Sequence, residues 1–317
     1  MFYTQILLPM YDTTDMYYYK AQSPSINFIE AIPQYLTHVS NEGESEFGEY
    51  INGYINTLSV SVTKNRIKIT GSLCKFYLGD NFKSLTKGDT KRAIEKISDY
   101  LHLPINDAHV TRLDIAQNLI MKLPVDDYYK YLGEVQYYKR LEQSNGLYYN
   151  NQLRQMVFYG KEYEQRVKKQ HIPELYKYRN VLRFELRFLK RLSEQFKLPE
   201  ITANLLYDEV FYSELVKRWK NEYLAIQKIN SSLTSINPTS STKELIENMA
   251  LIALLDIGQP KILSTVKEWQ NKGLINKKQA ADHRKKIKLL SNIPINENGN
   301  ELITELNKKI KETARCW

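Results

Sequence analysis

The alternation of apolar and polar residues predicts a body of strands and helices in the first two thirds of the chain. Residues 56–62 and 66–70 alternate with period two, and the short polar connection between them predicts a β-hairpin. Apolar residues spaced three or four apart predict a helix over 90–103, which Pro104 ends. A strand over 110–119 follows, so the first series of elements is two strands, a helix and a strand.

A second series of elements has the same order. It comprises a helix at 125–135, hairpin strands at 146–150 and 154–159, a helix at 161–170 and a strand at 181–189. Each series ends in a strand with Arg, apolar, acid and apolar residues, namely Arg112-Leu113-Asp114-Ile115 and Arg183-Phe184-Glu185-Leu186. We therefore predict an α+β fold in which duplicated ββαβ units form a mostly antiparallel sheet with helices. Residues 1–53 add one strand near Thr4 to Leu8 and are otherwise uninterpreted.

The last third of the chain is predicted to be helical. An amphipathic stretch covers 208–227, and three shorter helices cover 242–256, 260–270 and 276–290. Gly273 lies in the turn between the second and third of these shorter helices. Short helices joined by such a turn can form a helix-turn-helix. A Ser/Thr-rich linker at 231–241 marks a boundary. We predict an α+β catalytic domain at 1–200 and a helical, basic DNA-binding domain at 201–317.

Charge narrows the choice of partner. The chain has 45 Lys+Arg against 36 Asp+Glu, a formal charge of +9, and most of the excess lies within residues 261–290. Such an excess favours a polyanion, so we predict that Lys277, Lys278, Arg284, Lys285 and Lys286 bind DNA. The 24 tyrosines can stack on unpaired bases. An AT-biased coding sequence also enriches tyrosine, so the number alone decides nothing.

Several classes of protein are disfavoured. No apolar run is long enough to span a membrane, and the N-terminus lacks the basic region of a secretory signal. Two cysteines form no disulfide framework, so a cytoplasmic location is expected. No P-loop, dinucleotide-binding or nucleophile-elbow motif occurs, and the five histidines are scattered without zinc-binding spacing.

The two strand acids are the first candidates for chemistry. Arg112 and Asp114 share one side of their strand, and Arg183 and Glu185 share one side of theirs. If the two strands are neighbours, both carboxylates converge on one side of the sheet. Two carboxylates completed by water suit Mg²⁺ or Mn²⁺. The alternative is a polar face crossed by arginine–acid pairs.

A tyrosine stands beside these acids in the predicted sheet. Tyr159 is the last residue of a strand that runs through Gly160 into a helix, so its hydroxyl can reach the rim of the sheet. A phenol is a covalent nucleophile when a base takes its proton or a cation lowers its pKa. Lys161 can polarise a phosphate, and Glu162 can serve as a metal ligand or a base. Alternatively, Tyr159 is one aromatic among many that pack the sheet.

Four short motifs carry a resemblance to a known family. In order they are GSLCKFYLGDN from Gly71, RLDIAQN from Arg112, MVFYGKEYEQ from Met156 and LRFELRF from Leu182. Together they resemble the phage and plasmid replication initiation proteins of the gene II/X family, over roughly residues 57–189. Proteins of this family are rolling-circle initiators.

The resemblance implies a mechanism. A tyrosine attacks one phosphodiester of supercoiled origin DNA and stays joined to the 5′ phosphate, while the freed 3′-OH primes synthesis. It implies Tyr159 as nucleophile with Lys161 beside it, Asp114, Glu185 and Glu162 around Mg²⁺ or Mn²⁺, and Arg112 and Arg183 near DNA. Gly160 stands where the family has an acid. Tyr148, Tyr149 and Tyr163 keep the choice of nucleophile open.

The resemblance also bears on partners. It implies duplex and single-stranded origin DNA, and it leaves room for a host replication helicase and for a homodimer. The leading hypothesis is a site-specific, metal-dependent nicking and joining enzyme that starts rolling-circle replication. The rival hypotheses are a non-catalytic DNA-binding regulator of a phage or plasmid, and a nuclease that uses water and leaves no protein on the DNA.

Overall fold

A computed structural model of the protein describes residues 8–46, 48–229, 241–257, 259–291 and 301–315. Within them, ten strands form one antiparallel sheet. The strands are β1 (Met10–Tyr19), β2 (His38–Ser45), β3 (Gly48–Ile55), β4 (Leu58–Thr63), β5 (Arg66–Ser72), β6 (His109–Met121), β7 (Lys139–Gln143), β8 (Gly146–Asn150), β9 (Arg154–Gly160) and β10 (Asn180–Phe188).

Eleven α-helices accompany the sheet within the same residues. They are α1 (Phe28–Ala31), α2 (Leu73–Leu78), α3 (Lys87–Leu101), α4 (Val125–Tyr129), α5 (Lys161–Val167), α6 (Leu192–Phe196), α7 (Glu209–Ala225), α8 (Thr242–Ile257), α9 (Gln259–Asn271), α10 (Lys277–Ser291) and α11 (Glu301–Thr313). The predicted α+β class, with an antiparallel sheet followed by helices, is confirmed.

The sheet contains a repeat, but each repeated unit consists of five strands and differs from the predicted ββαβ unit. The sheet order is β2-β3-β4-β5-β1-β6-β10-β9-β8-β7. Each half therefore places its first strand at the centre and its fifth strand beside it. β6 and β10 open and close the second half, whereas the duplicated ββαβ prediction made them the last strands of two copies. They look alike because they are interior neighbours with one apolar and one polar side in common.

Most predicted elements are present, and several others were missed. The hairpins appear as β4–β5 and β8–β9, but the strands β1, β2, β3 and β7 and the helices α1, α2, α6 and α11 were not predicted. The strand expected near Thr4 to Leu8 lies largely outside the described residues, as does the linker at 231–241. The division into domains at residue 200 stays a prediction.

Alternation along β10 defines the two sides of the sheet. Phe184 and Leu186 point to the apolar side, and Arg183 and Glu185 point to the polar side. On the apolar side Phe184 stacks on Phe158, with ring centroids 4.4 Å apart and planes 6° apart. Trp219 of α7 packs on the same ring at 5.0 Å. Truncating Trp219 to alanine would cost about 3–5 kcal/mol of unfolding free energy.

Helices on either side of residues 230–240 pack against this body. Asp208 caps α7 by accepting a hydrogen bond from Phe211 N at 2.8 Å. Glu305 of α11 accepts one from the Tyr128 hydroxyl at 2.5 Å, and Leu306 is buried beside it. The helices α8, α9 and α10 contact one another. None of the described helices is long and apolar enough to cross a membrane.

Candidate active site

The predicted strand acids lie on neighbouring strands. Register pairs Glu185 of β10 with Ala116 of β6, and Arg187 with Asp114. Asp114 and Glu185 therefore stand diagonally on the polar side of the sheet. Both are buried, at 2 % exposure each. The strand register thus supplies the adjacency that a site shared by the two acids requires.

Glu185 is the centre of a hydrogen-bonded network. Its Oε1 accepts from the Tyr159 hydroxyl at 2.8 Å and from Arg183 Nε at 2.7 Å. Its Oε2 accepts from Arg187 Nε at 2.8 Å and Nη2 at 2.5 Å. Burial would raise the pKa of Glu185, but the two guanidinium groups lower it overall. Glu185 is therefore a buried, ionised acceptor for the phenol proton.

Tyr159 reaches this acceptor because of its place at the end of β9. Its register partner on β10 is Arg183, so the ring lies on the polar side next to Glu185. Tyr159 is only half-buried, unlike the carboxylate it contacts. Burial and the charge of Glu185 raise the pKa of Tyr159 well above its ordinary value. The resting group is a neutral phenol with a proton acceptor already in position.

Arg183 anchors the network, and its guanidinium N–H groups donate to acceptors of the protein. It is fully buried. Its Nη2 donates to Asp12 Oδ2 at 2.6 Å, and its Nη1 donates to Asn118 Oδ1 at 2.9 Å and to the Asn81 carbonyl at 3.1 Å. The guanidinium therefore donates to Glu185 and Asp12, and its predicted contact with a DNA phosphate stays a prediction.

Sequence reasoning missed Asp12, which lies on β1. Burial would raise the pKa of Asp12, but Arg183 and its other partners lower it well below the ordinary value. Asn81, from the segment after α2, donates to its Oδ1 at 3.3 Å. A partial signal was present, because Asp12 directly follows the largely apolar residues 6–11, although Thr13, Thr14 and Asp15 come after it.

Asp114 has a separate partner. Arg112 of the same strand donates from Nε to Oδ1 at 3.1 Å and from Nη2 to Oδ2 at 2.8 Å. Arg187 Nε is 3.8 Å from Oδ2 and links this pair to Glu185. Burial raises the pKa of Asp114 to about 7, against the opposing attraction of Arg112. Asp114 is therefore held much nearer its neutral form than Glu185 is.

The turn from β9 into α5 brings a cation to the tyrosine. Lys161 is the first residue of α5 and is 1 % exposed. Its Nζ lies 5.8 Å from the centroid of the Tyr159 ring and 5.9 Å from that of Phe82. It donates to Glu164 Oε2 at 2.7 Å. Burial and the nearby Arg183 lower the pKa of Lys161 to about 8.

Glu162, the third predicted metal ligand, lies beside Arg166 of the same helix. Its Oε2 is 3.9 Å from Arg166 Nη2. Within the described residues, no group of three or more His, Cys, Asp or Glu side chains is placed to hold a metal ion. Arginines occupy the oxygens of Glu185 and Asp114. This arrangement does not fit a resident Mg²⁺ or Mn²⁺.

The other three candidate tyrosines differ in their surroundings. Tyr149 is buried on the apolar side, and its hydroxyl donates towards the carbonyls of Leu132 at 3.0 Å and Gly133 at 2.7 Å. Tyr163 is 57 % exposed on α5. Tyr148 is half-buried on the polar side, opposite Val157. In the part of the chain described, Tyr159 is the one of these four whose hydroxyl donates to Glu185.

The predicted DNA-binding residues of the tail all lie on α10, which contacts α9. Lys277, Lys278, Lys285 and Lys286 are exposed. Arg284 is partly buried and donates to Gln270 Oε1 at 2.6 Å. The exposed lysines are thus accessible to a phosphate backbone, while Arg284 helps to join two helices.

A comparison with known protein families gives one match. Residues 39–247, about two thirds of the chain, match the model of the phage CRI family, which is described as the N-terminal part of a replication-associated protein. The matched segment contains β3 to β10 and most of the network around Glu185. No curated protein matches the chain.

Proposed function

The chain belongs to this phage family of replication-associated proteins, and from this premise we propose that it nicks and rejoins DNA to start rolling-circle replication. The observation that carries the proposal is the 2.8 Å hydrogen bond from the Tyr159 hydroxyl to Glu185. A half-buried phenol paired with an ionised buried carboxylate is the nucleophile–base pair that covalent phosphodiester cleavage needs.

The proposed cleavage step uses that pair directly. Glu185 accepts the phenol proton as the Tyr159 oxygen attacks phosphorus. The new bond joins phosphorus to the tyrosine oxygen, and the bond from phosphorus to the 3′ oxygen breaks. The leaving 3′ oxygen takes a proton from water and becomes the 3′-OH, and the hydroxide so formed is neutralised by the phenol proton that Glu185 then releases to solvent. Because the pKa of Tyr159 is raised, proton transfer must accompany the attack.

Cations near the pair would stabilise the charge that develops on the phosphate. Arg187 is half-buried and contacts Glu185. Lys161 lies against the Tyr159 ring, and its cationic form predominates below the pKa of about 8. Preorganised donors in a water-poor site are the usual means of stabilising such a transition state. The phosphotyrosyl bond conserves the energy for rejoining, which agrees with a sequence that lacks a nucleotide-binding loop.

Metal dependence is a separate proposal, because the cleavage step requires only side chains of this chain, water and the DNA. The carboxylates that the sequence assigned to Mg²⁺ or Mn²⁺ are paired with arginines. An ion brought in with the DNA would have to displace one of these pairs. Cleavage assays with EDTA, with Mg²⁺ and with Mn²⁺ measure this requirement independently of the tyrosine chemistry.

The exposed lysines of α10 are proposed to hold the duplex part of the origin. Each lysine that contacts a phosphate steepens the salt dependence of binding. Replacing Lys285 and Lys286 together with alanine should reduce the slope of log affinity against log salt by about two. Tyr159 chemistry on a single-stranded substrate should not change.

The central test is whether the protein forms a covalent adduct with DNA. Wild-type protein is mixed with supercoiled origin plasmid and with a single-stranded origin oligonucleotide, and the products are separated under denaturing conditions. We expect nicked circles and protein joined to the 5′ end, and no adduct with Tyr159→Phe. Nicks without an adduct would indicate a nuclease that uses water. Binding without scission in any metal would indicate a regulator, and both outcomes would overturn the proposal.

Tyr148 is the comparison variant for this test. It lies on the same side of the sheet and is also half-buried, but it is opposite Val157. Tyr148→Phe should still form the adduct. If Tyr148→Phe abolishes the adduct and Tyr159→Phe does not, the assignment of the nucleophile is wrong.

A further inference from the structure

The polar side of the first half of the sheet forms a second surface, which adjoins the site around Glu185. Strand register arranges its side chains in three rows that run from β1 to β2. The rows are Tyr19, Arg66, Thr63, Tyr50 and Gly43, then Tyr17, Lys68, Ser61, Asn52 and Asn41, and finally Asp15, Thr70, Ser59, Tyr54 and His38. These rows are called the open face.

The open face is exposed enough to meet a ligand. Tyr54 is 40 % exposed and Tyr19 is 37 % exposed. Arg66 and His38 are exposed, and Tyr17 is half-buried. The opposite side of the same strands carries the buried core, so the exposed aromatics here are not core residues that happen to reach solvent.

Aromatic rings on the open face are already arranged as stacking platforms. Tyr17 and Tyr19 lie with centroids 6.2 Å apart and planes 15° apart. His38 and Tyr54 lie 6.4 Å apart with planes 17° apart. Three strand spacings of about 4.8 Å separate Tyr17 from the β3 tyrosines, which gives a span of about 14 Å. Flat rings at such intervals can each take one base.

Positive charge accompanies the rings. Arg66 and Lys68 lie 5.3 and 5.6 Å from the centroid of the Tyr17 ring. Asp15, the acid of the three rows, is 3.2 Å from Lys68 Nζ. Alternation directs the acids of β2 and β3 to the other side of the sheet. Hydroxyl and amide groups complete the rows, and these groups donate to phosphate and base edges.

We propose that the open face binds single-stranded DNA by stacking bases on Tyr17 and Tyr54 while Arg66 and Lys68 contact the phosphates. The face is continuous with the candidate active site, because Asp15 pairs in register with Arg112, the partner of Asp114. A strand on the open face would therefore be led along the sheet towards Tyr159. The inference deepens the proposed function and rests on it for the choice of DNA.

The test measures the affinity for a labelled oligo(dT) by fluorescence anisotropy at one fixed salt concentration, with a fully paired hairpin duplex as the second ligand. Replacing Tyr17 and Tyr54 together with alanine should weaken oligo(dT) binding at least about tenfold, since each lost stack has a measurable cost. Replacing both with phenylalanine keeps the rings and should leave the affinity within about twofold. Urea unfolding checks that both variants fold.

The matched control replaces Tyr137 and Tyr178, which are 85 % and 93 % exposed, with alanine. This pair should bind oligo(dT) as wild type does. The proposal is overturned if the Tyr17 and Tyr54 alanine pair binds like the control pair. It is also overturned if that pair loses duplex and single-strand affinity equally, because the two rings would then support DNA binding in general and not the stacking of unpaired bases.

The adduct assay on wild-type protein separates the two proposals. An adduct without any loss of oligo(dT) affinity in the alanine pair removes the open face and leaves the nicking enzyme. Loss of affinity without an adduct in wild type leaves a single-strand-binding surface and removes the enzyme.

Discussion

The two halves of the sheet have the same strand order, but their polar sides differ in exposure to solvent. In the first half the polar side is the open face, with Arg66 and His38 exposed. In the second half the equivalent side holds Arg183, Glu185 and Lys161, which are at most 2 % exposed. One scaffold thus provides a solvated surface and a closed charged site.

Two connections contribute to the difference, and one of them is the segment after α2, whose Asn81 carbonyl accepts from Arg183. The fourth and fifth strands of the first half, β4 and β5, are joined by a tight turn at Lys64 and Asn65. In the second half, residues 161–179 with α5 come between β9 and β10. That insertion brings Lys161 and Tyr176, and Tyr176 packs on Phe82 at 4.8 Å. A cover of this kind excludes water, so every charge beneath it must be paired.

The largest expected difference between the halves is in stability. Arg183→Met leaves Asp12 and Glu185 without their shared cation and should cost about 3–5 kcal/mol of unfolding free energy. Lys68→Met removes a half-exposed cation on the open face and should cost within about 1 kcal/mol. Urea unfolding of both variants measures this. Equal losses would mean that burial does not separate the halves.

The next effect is on chemistry. Glu185→Gln still accepts a hydrogen bond but cannot take the phenol proton, so the rate of adduct formation should fall about 100-fold or more. Glu44→Gln changes an exposed carboxylate of the first half and should form the adduct at the wild-type rate. Single-turnover denaturing gels give both rates. An unchanged rate in Glu185→Gln would remove this residue as the base.

The smallest effect is the response to acid. The pKa of Asp12 is lowered and that of Glu164 is lowered to about 2, in each case because nearby cations outweigh burial. Groups with a lowered pKa stabilise the fold above their unfolded pKa of about 4 and lose that contribution as pH falls. The unfolding free energy should therefore drop by about 2 kcal/mol or more from about pH 5 to about pH 2.

Variants locate this acid response at the buried network of Arg183, which includes Asp12 of β1. Arg183→Met removes the main cation of Asp12 and should flatten the fall, whereas Lys68→Met should keep the wild-type profile. Asp114 acts with the opposite sign, because its pKa is raised to about 7 and its contribution is lost as pH rises through that value. A Lys68→Met profile as flat as that of Arg183→Met would contradict the assignment.

The sequence by itself determined which side of each strand a residue occupies. Alternation in RLDI and RFEL placed Asp114 and Glu185 on the polar side, and the position before Gly160 placed Tyr159 at a strand end. Local pattern suffices there because side chains along a strand alternate with a fixed period of two. The same reasoning placed Tyr159 beside a helix that begins with Lys161.

Tertiary structure alone decided what those residues meet. Asp12 reaches Arg183 across 171 positions of sequence, and Asn81 reaches it across 102. The pairing of both strand acids with arginines follows from strand order and register, which depend on long-range packing and leave no periodic signal in the sequence. Burial then sets the charge states, because the cost of desolvation depends on what covers a group and not on its neighbours along the chain.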